Sequence, residues 1–124
     1  MDRVVHFEVP FDDAERAHTF YREAFGWKLD AMPDFAYTMV TTTPTDDRGR
    51  PSETGGINGG MLKRQAQITS PVITVGVEDL DDALTRIEKL GGTIAIGRQP
   101  VGTMGFSAYV QDTEGNLIGL WQNA

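Results

Sequence analysis

His6 and Glu8 are the residues from which chemistry could start. They stand two positions apart in residues 4–9, Val-Val-His-Phe-Glu-Val, a stretch that alternates as a strand does. Both side chains therefore project from one face, while Val5, Phe7 and Val9 take the other. An imidazole beside a carboxylate can hold a divalent cation or move a proton next to a carbonyl, and Glu8 is the candidate general base. A stable catalytic metal site normally has three or more protein donors, and this pair supplies two. Tyr37, Met61, Tyr109 and Trp121 are the candidate lining of a ligand pocket with His6 and Glu8. An aromatic wall with a few polar groups is what a small organic ligand needs.

Other chemistries find no support. The 124 residues contain no cysteine, so disulfides, thiolate nucleophiles and cysteine-held zinc are excluded. No G-x-S-x-G nucleophile turn occurs. The run Gly55-Gly56-Ile57-Asn58-Gly59-Gly60 lacks the lysine and following helix of a phosphate loop; its glycines make room for a neighbouring strand or a ligand. A net charge of −7 and a pI near 4.6 argue against affinity for nucleic acid or anionic membranes. No apolar run reaches membrane-spanning length, and residues 1–3 lead into a strand without a secretory apolar region. A cytoplasmic location is the expectation.

The elements that must position these residues read clearly. Pro10, without an N–H, is expected to end the first strand. Asp12 or Asp13 caps a helix running to about Phe25, with Ala14, Ala17, Tyr21, Ala24 and Phe25 as its buried stripe and Gly26 as its terminator. His18 flanks that stripe as a boundary residue. A strand begins at Trp27, and another covers 35–42, with Tyr37, Met39 and Thr41 on one face. Residues 44–56 form a polar loop, either a floppy excursion or a lid. A glycine-rich strand over 57–62 and a connector over 63–70 follow. Residues 72–77 form a strand, and Asp79 caps a second helix that carries Leu80, Ala83, Leu84, Ile87 and Leu90 on one face. A strand over 93–96 leads to a hairpin of 106–111 and 116–122, turned at Asp112 and Gly115. On the closing strand Leu117, Gly119 and Trp121 share a face, while Ile118 and Leu120 face a core. Gly119 leaves a gap before the Trp121 ring, to be filled by a ligand or by a neighbouring side chain.

The order strand, Asp-capped helix, glycine, about three strands occurs twice, over about 4–63 and about 71–122. Neither β-α-β-β-β half buries both of its faces alone. The expected class is α+β: one domain over 1–124, a half-open mixed β-barrel with its helices outside and a concave interior.

The chain resembles the vicinal oxygen chelate superfamily, the glyoxalase/bleomycin-resistance/dioxygenase group, in its small glyoxalase-like subgroup. The resemblance is carried by residues 5–10, by Glu15-Arg16-Ala17, Phe20-Tyr21 and Phe25-Gly26-Trp27, and by Gly59-Gly60-Met61. Residues 77–81, Leu90-Gly91-Gly92 and the run from Asp112 to Trp121 extend it over nearly the whole chain. It implies a homodimer and a divalent metal held by His and Glu side chains from several strands. In this sequence His6 stands near the first-ligand position. Val72 stands where another His is expected and Gly119 where a Glu is, and the only nearby acid of the glycine-rich strand is Glu53, upstream in the loop. The usual ligand set is therefore incomplete.

Three functions follow. One is a module that binds a small organic ligand without a metal; antibiotic sequestration is such a use by analogy with the fold. Another is a metal-dependent lyase or isomerase of glyoxalase type, or a dioxygenase-like enzyme, using His6 and Glu8. The last is a structural or regulatory dimer with a filled barrel. No cofactor is expected, with a divalent metal as the alternative.

Overall fold

In the computed structural model, which describes residues 1–124, the chain divides into two compact units, residues 6–71 and residues 1–5 with 72–124. The first module comprises β1 (Arg3–Phe11), α1 (Ala14–Phe25), β2 (Lys28–Met32), β3 (Tyr37–Thr41) and β4 (Gly59–Lys63). Its strands lie in the order β2-β3-β4-β1, with β1 parallel to β4 and the other pairs antiparallel. The second comprises β5 (Val72–Gly76), α2 (Leu80–Lys89), β6 (Thr93–Val101), β7 (Gly105–Gln111) and β8 (Leu117–Asn123). Its order is β5-β8-β7-β6, with β5 parallel to β8. Within each module the first strand pairs with the fourth, the fourth with the third and the third with the second. The repeat read from the sequence is thus a repeat of topology, and the class is α+β.

Both helices start as their sequences dictate. Asp13 accepts a bond from the Arg16 N–H and Asp79 from the Asp82 N–H, each 2.9 Å, which satisfies a donor the helix itself leaves unpaired. Gly26 closes α1 at φ 71°, donating to the Arg22 carbonyl. On α2, Leu80 and Leu84 are buried against Ala108, Val110 and Leu120, with Ile87 packed at the edge, and Ala83 on the same helix is buried as well. Leu90 is 72% exposed because the helix ends at Lys89 and the chain turns away at Gly91.

Only part of the expected stripe of α1 faces the sheet: Ala17 and Tyr21 are half-buried, whereas Ala14, Ala24 and Phe25 are exposed, Phe25 to 62%. The helix is anchored along Ala17, His18 and Tyr21. The His18 ring bonds the buried Thr38 hydroxyl at 3.0 Å and meets Phe11 edge-on, and Tyr21 stacks on Trp27 with centroids 5.0 Å apart. His18 is the boundary residue its position suggested, but on the sheet side.

Two strand boundaries differ from expectation for backbone reasons. Pro10 lies inside β1, opposite Leu62. The Phe11 carbonyl accepts from the Arg64 N–H, so Phe11 points its polar groups toward β4 and Pro10 points away, where its missing N–H costs that ladder nothing. Residues Pro33–Phe35 make a 3-10 turn, and Ala36 takes a positive φ of 50°, which delays β3 to Tyr37.

The 44–56 excursion is internally bonded. Asp46 accepts from the N–H groups of Arg48 and Arg50, each at 2.9 Å, and Thr45 bridges to Pro51. At its neck the Asn58 Oδ1 accepts from the N–H groups of Thr42 and Thr43, at 2.7 and 3.0 Å. The hairpin turn follows the same logic. The Asp112 Oδ1 accepts from the Asn116 and Glu114 N–H groups, and its Oδ2 from the Asn116 side-chain amide.

Those donors, Asn116 first and Glu114 next, hold the Asp112 carboxyl below the usual carboxylate range. A carboxyl whose pKa is depressed on folding contributes stability above its unfolded pKa, about 3.9, and loses it as pH falls through the lower folded value. Thermal melts from neutral pH to below pH ~3 are therefore expected to show a shallower acid loss of Tm in Asp112→Asn than in the parent. Equal acid slopes would refute this account of the turn.

Candidate functional site

In the first module the ladder sorts side chains by face. Glu8 is opposite Gly60, Met39 is opposite Gly60 and Tyr37 is opposite Leu62. With period two, His6, Glu8, Tyr37 and Met39 share the face turned away from α1. Phe7, Val9, Thr38, Val40 and Met61 share the face that α1 covers. His6 and Tyr37 meet on the face turned away from α1: the His6 Nε2 and the Tyr37 hydroxyl share a 2.7 Å hydrogen bond, and their rings stack with centroids 6.3 Å apart. Glu8 is 6% exposed on the same face. Burial pushes the His6 imidazole pKa below its ordinary value, and the negative charge of Glu8 partly opposes this. The folded surroundings thus favour the neutral ring over the imidazolium.

Gly60 makes this arrangement possible. A Cβ there would lie inside the Tyr37 phenol, so the ring rests on the bare backbone of β4. The sequence marked the glycine run as room for a neighbour; the neighbour is Tyr37. Neither the spacing nor the composition named Tyr37 as the partner of His6, because they lie 31 residues apart and meet only through the β3–β4–β1 register.

Met61 corrects the expected lining. It pairs with Val9 and Thr38, faces α1 and is 0% exposed. One residue of register sends it to the opposite face from Tyr37, so it is core rather than wall.

In the second module Tyr109 is opposite Gly119 and Trp121 opposite Ser107. Both therefore share the face turned away from α2, as the closing strand's alternation indicated. Ile118 and Leu120 lie on the other face, at the core. Gly119 does not leave a void: it is opposite Thr74 on β5, whose hydroxyl would stand 2.6 Å from a Cβ at that position. The neighbouring side chain, not a ligand, takes the space.

A divalent metal held by His and Glu from several strands, as the resemblance implies, does not fit these residues. Val72 is a buried apolar side chain on β5, and Gly119 contributes no donor on β8. Nowhere do three or more His, Cys, Asp or Glu side chains come together in a way that could hold an ion. His6 and Glu8 remain a pair of donors, and the Nε2 of His6 already has a partner.

Residues 3–43 match the family described as bleomycin resistance protein-like N-terminal. No curated protein matches the sequence. Solved structures with the same fold include a glyoxalase/bleomycin resistance protein/dioxygenase superfamily member from Vibrio splendidus, at 15% identity and TM-score 0.65, covering 100% of both chains. A methylmalonyl-CoA epimerase in complex with methylmalonyl-CoA aligns at 17% identity and TM-score 0.67, over 100% of this chain and 96% of that one. A variant of the Streptomyces coelicolor methylmalonyl-CoA epimerase, bound to 2-nitronate-propionyl-CoA, aligns at 16% identity and TM-score 0.65, over 98% and 97%. No helix of the chain is long and apolar enough to cross a membrane. With its twice-repeated β-α-β-β-β order the chain shares the fold of these glyoxalase/bleomycin resistance protein/dioxygenase-type structures, and residues 3–43, in its first module, carry the match to the bleomycin resistance protein-like N-terminal family.

Proposed function

We propose that this protein binds a small organic molecule on the sheet face of its first module turned away from α1, without a protein-held metal. His6, Glu8 and Tyr37 offer the polar contacts there; Tyr109 and Trp121 present a separate aromatic surface on the second module. The observation that carries the reading is the His6–Tyr37 hydrogen bond beside the nearly buried Glu8. Polar side chains are seldom gathered on a sheet face away from bulk water without a role, since their desolvation must be offset by partners. A neutral imidazole, a phenol and a carboxylate together suit a ligand that joins an apolar or aromatic body to a hydrogen-bonding group.

Titration of the protein with a panel of small aromatic amides and carboxylates, followed by intrinsic tryptophan fluorescence, tests this. A saturable response is expected with at least one compound. Tyr37→Phe and His6→Ala are expected to weaken it about ten-fold, the equivalent of one net hydrogen bond. A folded protein that responds to none of them, or variants that bind as the parent does, would overturn the reading.

A further inference from the structure

We infer that Tyr37, seated over Gly60, occupies the Nε2 of His6 as a lock that shuts a cation out from that nitrogen. The Nε2 of His6 lies 2.7 Å from the Tyr37 hydroxyl. If the phenol donates, it consumes the Nε2 lone pair and the ring proton sits on Nδ1; if the imidazole donates, Nε2 carries the proton and the remaining lone pair is at Nδ1. In either tautomer a metal at Nε2 must first break that bond. The ring lies against the bare backbone of Gly60, where an added Cβ would collide with it.

The lock also accounts for the rest of the donor set. Glu8 on the same strand is the carboxylate two positions from His6 on this face, and no third His, Cys, Asp or Glu joins the pair. A cation would therefore trade a 2.7 Å hydrogen bond for two protein donors, a poor exchange for a borderline ion that prefers three or four. The phenol does the structural work that an ion does elsewhere, fixing the imidazole's orientation through one of its nitrogens. The inference extends the metal-independent reading above, yet it concerns the free protein and can fail separately from ligand binding.

Side-chain 1H–15N spectra of the two histidines, recorded during titration with Ni2+, test it. His18 is the internal control, since it lies on the opposite face with its own partner, Thr38. In the parent, stoichiometric Ni2+ is expected to leave the His6 signals in place. In Tyr37→Phe, which keeps the ring over Gly60, Ni2+ is expected to broaden the His6 Nε2 signal with an affinity at least about ten-fold higher than any in the parent. The added His6→Ala change should abolish the gain. Broadening of His6 in the parent at the same Ni2+ concentration as in Tyr37→Phe would overturn the lock. So would a folded Tyr37→Phe protein that gains nothing. Fluorescence titration of the same samples with the aromatic panel reports separately on ligand binding.

Discussion

Gly59→Ala is expected to lower stability by ~3 kcal/mol or more, at the upper end of what overpacking costs. The reason is what the new methyl would meet. A Cβ at Gly59 collides with the backbone carbonyl of Phe7, its register partner in the parallel β1–β4 ladder, and comes within 2.7 Å of the Phe7 ring. A side chain can rotate aside, but a ladder carbonyl moves only if the strands part. A cost of that size corresponds to a drop in Tm of roughly 10 °C or more for a chain of this length. Gly60→Ala makes the informative contrast. Its methyl strikes the flexible end of Tyr37, which can swing away, so stability should fall less while the His6–Tyr37 bond is lost. Urea denaturation of both variants, with the His6 side-chain spectrum as a local reporter, separates them. A Gly59→Ala protein as stable as the parent, or a Gly60→Ala protein that is the weaker of the two, would show that the ladder is not packed as described.

Much of this architecture could be read before any coordinates. The two Asp caps, the Gly26 stop, the α2 stripe from Leu80 to Ile87 and the alternation of β8 are local signals, each set by a few neighbouring residues, and each is where the sequence placed it; only Leu90, past the helix end, falls outside. Failures came where a long-range choice decided the outcome. The α1 stripe has the right period, but which of its sides meets the sheet depends on the His18–Thr38 and Tyr21–Trp27 contacts, 20 and 6 residues apart. Pro10 marks a strand end only if its missing N–H faces a partner, which register alone decides. The same limit applies to the site. His6 and Glu8 share a face because they share a strand, which the sequence displays. That Tyr37 reaches His6 across Gly60, and that Thr74 fills the space at Gly119, are facts of cross-strand register between distant segments. Glycines in strands announce a close approach without naming what approaches.

Met61 gives that limit a measurable form. The glycines before it suggested a pocket wall, whereas the ladder puts it opposite Val9 and Thr38, beneath α1 and sealed from solvent. Met61→Ala is therefore expected to destabilise the protein by ~2–5 kcal/mol, the range for truncating a buried aliphatic side chain to alanine. Met61→Leu should cost less than about 1.5 kcal/mol, since volume is nearly conserved. Neither change touches the face that carries His6 and Tyr37. The folded fraction of Met61→Ala should thus keep the parent's His6 spectrum and its response to aromatic compounds, even as its denaturation midpoint falls. Tyr37→Phe should do the reverse, with a small loss of stability and a large change in what His6 can bind. If Met61→Ala instead spared stability and weakened binding, Met61 would have to lie on the His6 side of β4, and the one-residue register that places Tyr37 over Gly60 would be wrong with it.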